Sequence, residues 1–144
     1  MVGVVLQTIP ATLGHSIGCM LKSLDTRRAI YRAEDGDGVL HAVREFVDSL
    51  EERHLRMLSL VANAPRPFTH KVVSELALSL AKQELYASPY DERLPLLREV
   101  AGVLAAASMR LADIQHDLLL KRAAAAARFT DPPSSGASRT NLRR

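Results

Sequence analysis

Between Leu97 and Leu118 the chain repeats aliphatic residues at alternating steps of three and four: Leu97, Val100, Leu104, Ala107, Leu111, Ile114 and Leu118. No polar residue interrupts the series. Arg98, Glu99, Ser108, Arg110, Asp113 and Gln115 lie between its members. That spacing puts one continuous apolar stripe on an α-helix, the a/d seam of a coiled coil or of a long bundle helix. Burying each larger side chain of the stripe contributes roughly 1.5–2 kcal/mol, all of it lost if water remains the neighbour. A facing helix therefore has to cover it, from this chain or from another.

The remaining sequence offers mostly helices for that role. Aromatic residues make up 4% of the chain and Trp is absent, so packing must come from aliphatic stripes. At 144 residues there is room for one domain, or for a few long helices sharing a core with a partner. Asp35-Gly-Asp-Gly38 is a turn, and Asp37 suits the N-cap of a helix running from about Val39 to Asn63. Val39, Val43, Phe46 and Leu50 form one stripe of it. Beyond Leu50 that stripe continues either through Arg53 and Met57 or, slipped by one, through His54, Leu58 and Val61. Pro65 and Pro67 end the helix.

A third helix is expected over Thr69–Ala87, with Val73, Leu76 and Leu80 inward. Ser88-Pro89 opens the next turn, and Pro95 marks where the long last helix becomes regular. The companion helix Thr69–Ala87 is shorter than the seam it would cover. The first helix, a second copy or a partner chain must complete it. Near the N-terminus, Thr12 is a capping candidate for a short helix carrying Leu13, Ile17, Met20 and Leu24. The expected class is thus all-α: three long helices plus a short N-terminal one, as an elongated coiled coil or helical bundle. Residues 1–33 form an apolar N-terminal segment, 38–128 the helical domain, and 129–144 a disordered basic tail.

Several chemistries are absent from this pattern. There is no Gly-rich phosphate loop and no Cys pair for zinc, so an enzyme is not expected and no cofactor is called for. Cys19 is alone, which excludes an internal disulfide and fits a reducing, cytoplasmic setting. The formal charge of +3 comes from basic and acidic residues mixed along the helices, a poor match to specific nucleic-acid binding. Residues Met1 to Leu21 lack a basic leader and are broken by Pro10, Gly14 and Gly18, so peripheral membrane contact is the most this segment suggests. Read as a calcium loop, the turn would need ligands where Ala33 and Arg44 stand. A di-metal bundle has more in its favour. Glu51 and His54 stand three apart, Asp113 and His116 repeat the step, and Glu75 and Glu84 are candidate further ligands.

Three blocks in order resemble the snapin family. The first is Gly38-Val-Leu-His-Ala-Val-Arg44-Glu-Phe-Val47-Asp-Ser-Leu50-Glu. The second is Glu75-Leu76 followed by Pro89-Tyr90, Arg93 and Leu94, and the third runs through Leu104, Ala107, Arg110-Leu111 and Ile114-Gln115-His116. Together they cover about residues 38–128. Pro65 and Pro67 depart from the family's long helix, and the apolar first 30 residues lack a counterpart in it. The resemblance implies a cytosolic helical adaptor subunit of the assemblies that position lysosomes and build lysosome-related organelles. It also implies partner helices of the SNARE class, bound through the seam Leu97 to Leu118, and a phosphorylation site near Ser59, which has Arg56 three residues before it. A homodimer through the seam is a further expectation. The alternatives are a self-contained four-helix regulatory bundle and the di-metal bundle enzyme.

Overall fold

The computed structural model describes residues 20–141, with side chains described for 20–128. Thr12, Leu13 and Ile17 lie outside the described residues, as does Cys19. Among the described residues the regular structure is entirely helical: α1 (20–32), α2 (Gly36–Asp48), α3 (Glu52–Met57), α4 (Ser59–Ala62), α5 (His70–Tyr86) and α6 (Leu94–Asn141). The all-α class is therefore observed. The chain divides into two compact units, the first ending at Leu111 and the second beginning at Ala112.

Within the first unit, polar contacts fix the helix directions. A three-residue link joins α1 to α2, and Lys22 Nζ donates to the Ser49 carbonyl at 3.2 Å, so the pair is an antiparallel hairpin. Ser23 of α1 hydrogen-bonds Glu99 of α6, and Arg110 Nη2 donates to the Ala33 carbonyl at 2.8 Å. Both partners advance together along the chain, so α1 and α6 run parallel. Ser74 meets Ser108 at 2.9 Å and Glu84 meets Arg98 at 3.4 Å, so α5 runs antiparallel to α6. Up to Leu111, α6 is thus flanked by α1 and α5, and Leu111 also lies against Gly36 at the start of α2.

Local chemistry explains the boundaries. The N-cap of α2 is Asp35, whose Oδ1 accepts from the Gly38 amide at 2.9 Å, whereas Asp37 falls in the first turn. The sequence points to Asp37 because it adjoins the apolar stripe. The capping geometry needs an extended residue, and Asp35 supplies it (φ −141°, ψ 173°). Thr69 caps α5 as its spacing suggests, Oγ1 accepting from the Val72 amide at 3.2 Å. In the α5–α6 turn, Asp91 accepts from Arg93 through both side chain and backbone. The Arg93 side-chain hydrogen bonds hold its carboxyl below the usual carboxylate range. The long helix begins at Leu94, so Pro95 sits in the first turn, where its missing N–H costs nothing.

The single helix expected from Val39 to Asn63 is instead three. At Ser49 the hydroxyl donates back to the Phe46 carbonyl at 2.7 Å, and Glu51 turns extended (φ −68°, ψ 149°). A side chain that satisfies a last-turn carbonyl offers the backbone an alternative to continuing the helix. The break resolves the ambiguous stripe. Leu50, Leu58 and Val61 are buried while Arg53 is exposed, so the slipped register is the one that reaches the core. After Pro67, which follows a cis peptide bond, Phe68 is buried and the Arg66 guanidinium lies 4.3 Å over its ring.

In α1 the inward face carries Ser23 and Ile30, whereas Met20 and Leu24 are exposed. The apolar spacing alone points to a face roughly 90° round the helix from it. Ser23 is tolerated inside because the Glu99 carboxylate and the Met20 carbonyl both lie against its hydroxyl. The backbone of α6 is helical through Asn141, past the Thr130 position at which composition places the start of a disordered tail.

Candidate functional site

The seam expected to receive a partner is divided. Leu97, Val100, Leu104, Ala107 and Leu111 are all buried in the first compact unit. Leu96, Ala101, Val103 and Ala106 are buried with them. At 100° per residue these nine positions sweep roughly 220° of the helix circumference, far more than the narrow stripe of a two-stranded coil. From Leu96 to Leu111, α6 is thus a core helix of the first unit, with α1 and α5 alongside it and the start of α2 against Leu111.

Past Leu111, in the second unit, the same spacing continues on more exposed residues. Ile114 is half-buried and Leu118 is 48% exposed. Leu119 and Leu120 are exposed beside it at 53% and 56%. Successive residues of a helix point 100° apart, so these three leucines span roughly 200° of the surface. Around them stand Asp113, His116, Asp117, Lys121 and Arg122, all exposed. The alanines from Ala123 to Ala127 extend the helix at low conformational cost.

The other candidate residues fall elsewhere. Val39, Val43, Phe46 and Leu50, the second stripe, are all core residues and present no face to a partner. Ser59 opens α4 and is exposed, with Arg56 exposed on α3. Ser59 also lines a groove between α4 and α5, together with Leu60, Asn63, Val72 and Glu75. Glu51 and His54 approach to 3.8 Å, and Glu51 also pairs with Arg53 at 3.2 Å. Among the described residues no three His, Cys, Asp or Glu side chains gather to hold a metal. No helix among them is long and apolar enough to cross a membrane.

Sequence reasoning missed two features of α6. One is the second buried stripe, Leu96 and Val103, visible in the sequence only as apolar residues next to the seam. The other is Gly102, against which the Arg27 guanidinium packs so closely that a side chain there would overlap it. Nothing in the local sequence signals that contact, because its two halves are 75 residues apart. In comparisons with known proteins, no family model, curated protein or solved structure matches the chain.

Proposed function

We propose that the protein is a non-enzymatic helical adaptor. Its core is a bundle that covers itself through Leu111, and its binding segment is the following stretch of α6, Ala112 to Arg128. The observation that carries this reading is the change of environment along one uninterrupted heptad series, from fully buried Leu104 to half-exposed Leu118.

Leu118, Leu119 and Leu120 point to both sides of the helix, so a single partner helix leaves part of them in water. Apolar side chains spread over roughly 200° of one helix are covered only by more than one neighbouring helix. That favours a subunit of a multi-protein complex over a two-chain coil. Each of these leucines regains about 1 kcal/mol when its exposed half is covered. Three of them offset little of the several kcal/mol that association costs, so contacts with more than one neighbour are needed for a stable complex.

The setting we assign is an assembly on endosomal, lysosomal or vesicle membranes, the chain being cytoplasmic or peripheral, with SNARE-class helices among its partners. This part rests on the resemblance to snapin over residues 38–128 and on no geometric feature. The self-contained four-helix regulatory bundle is the second reading, and burial of Leu97 to Leu111 within the chain favours it. The two part company at Leu118, which a self-contained protein has no need to keep apolar.

Hydrogen exchange separates them. Amides of Leu97–Leu111 are expected to be protected in the isolated protein, while those of Leu118–Arg122 gain protection only in the complex isolated from its native cell. Unchanged exchange over Leu118–Arg122 in that complex would remove the adaptor reading.

A further inference from the structure

Ser88-Pro89 is the one place in the sequence where a serine or threonine precedes a proline. It lies in the turn between α5 and α6, the least anchored stretch of the first unit. From Ala81 to Pro95, fifteen consecutive residues, no side chain is buried. No other run among the described residues of that unit is as long. Leu80 and Leu96, 0% and 8% exposed, are the core residues on either side of it. Within the run Leu85, Tyr86 and Tyr90 are 73%, 82% and 94% exposed. A segment with so few apolar contacts opens locally far more readily than the domain unfolds.

Ser88 itself is held by little. Its Oγ accepts from the Tyr90 amide at 3.2 Å, and its carbonyl accepts from the Asp91 amide at 3.0 Å. Its hydroxyl donates to no group among the described residues, which leaves the proton available to a base. Helix α5 has already ended, since Ala87 is extended with φ −70° and ψ 145°. The proline that follows also disfavours helical backbone at Ser88. Both features suit the extended conformation in which a protein kinase holds its substrate.

Pro89 adds selectivity. A proline carries no backbone N–H. A pocket that encloses the residue after the serine and offers no acceptor therefore takes proline, and penalises any residue whose amide would be stranded there. Asp91, three residues beyond Ser88, is acidic and accepts from the Arg93 side chain. That disfavours a kinase which also needs a base at this place and suits one that reads the proline alone.

We propose that Ser88 is a phosphorylation site for a proline-directed serine/threonine kinase, reached by local opening of the α5–α6 turn. In the reaction the Ser88 oxygen bonds to the γ-phosphorus of ATP while the bond from that phosphorus to the β-phosphate oxygen breaks. ADP leaves, and the hydroxyl proton passes to the kinase's catalytic carboxylate. The product adds about −1.5 to −2 charge beside Asp91 and Glu92. Because the turn buries no side chain, the mark changes surface charge and leaves the core intact. Ser59 differs in this respect. Its neighbours Leu58 and Val61 are 2% and 0% exposed, so drawing it into an extended segment strips side chains from the core. The inference does not depend on the adaptor reading.

The test incubates the full-length chain with ATP and a purified proline-directed kinase of the mitogen-activated class. One phosphate is expected, mapped to Ser88 by fragment mass spectrometry. Ser88→Ala is expected to take up none, and Pro89→Ala to slow the initial rate roughly tenfold or more. Both positions are exposed, so circular dichroism is expected to show both variants folded. Leu104→Ala, which weakens the core, tells local opening from global unfolding. Its rate is expected to stay within about twofold of the wild type, because the turn opens without the core. A folded wild-type chain that stays unmodified would overturn the proposal. So would a rate that climbs with the lost stability of Leu104→Ala, a faster reaction at another residue, or a Pro89→Ala chain that reacts as fast as the wild type.

Discussion

Arg110 reaches from α6 to the carbonyl of Ala33, just past the end of α1, where its Nη2 donates at 2.8 Å. The contact closes the parallel α1–α6 pair one residue before Leu111, the last residue of the first compact unit. It gives a charged donor to a carbonyl that the end of α1 leaves without an intrahelical partner. Arg110→Met keeps most of the stem and removes the donor. A loss of about 1–2 kcal/mol is expected in urea unfolding, with Arg110→Lys recovering part of it. An unchanged midpoint for Arg110→Met would mean that the contact carries no stability.

Gly102 and Arg27 give a less intuitive expectation. A methyl group at Gly102 displaces the end of the Arg27 side chain, whose Nε is buried without a hydrogen-bond partner. The displaced group is flexible and gains water, while alanine gains about 1 kcal/mol over glycine inside a helix. Gly102→Ala is therefore expected to be neutral or stabilising by up to about 1 kcal/mol in thermal or urea unfolding. A clear destabilisation would show that the guanidinium is held there by more than packing.

The capping assignments are separable by two neighbouring aspartates. Asp35→Ala removes the acceptor of the Gly38 amide and is expected to cost about 1 kcal/mol. Asp37→Ala removes only a first-turn charge and should cost a few tenths of a kcal/mol. Equal losses, or a larger loss at Asp37, would contradict the cap seen in α2.

The division of the heptad series makes its own demand on stability. Leu104→Ala empties a fully buried site and is expected to cost about 2–5 kcal/mol, measured by urea unfolding. Leu118→Ala in the isolated protein is expected to cost under about 1 kcal/mol, because its side chain is already half in water. Similar losses at both positions would mean that the whole seam belongs to one core.

Helix content and most of the core stripes were legible because apolar spacing is a local property. Val73, Leu76 and Leu80 of α5 and Leu97 to Leu111 of α6 follow directly from the sequence pattern. The break at Ser49 was not legible, since it turns on one hydroxyl bond to the Phe46 carbonyl in a stretch with good helix formers on both sides. The inward place of Ser23 on α1 was not legible, because a buried serine looks polar until its partner, Glu99, is brought to it from 76 residues away. The candidate site was legible as a seam but not as a divided one. Periodicity reports which side chains share a stripe, and it is silent on which neighbour covers them. Leu111 and Leu118 are equivalent in the sequence and differ only once α1, α2 and α5 are in place.

The most direct test pairs two changes of the same chemistry, Leu118→Asp on α6 and Leu78→Asp on α5. Both leucines are exposed, at 48% and 67%, so neither change is expected to unfold the isolated chain. Tagged full-length variants, expressed in the native cell and purified with their assemblies, are compared by quantitative mass spectrometry. Leu118→Asp is expected to lose the co-purifying helical subunits, because a charge at that position would be buried without a partner. Leu78→Asp should keep them. Retention of the same subunits by the Leu118→Asp chain would contradict a binding role for the exposed end of the heptad series.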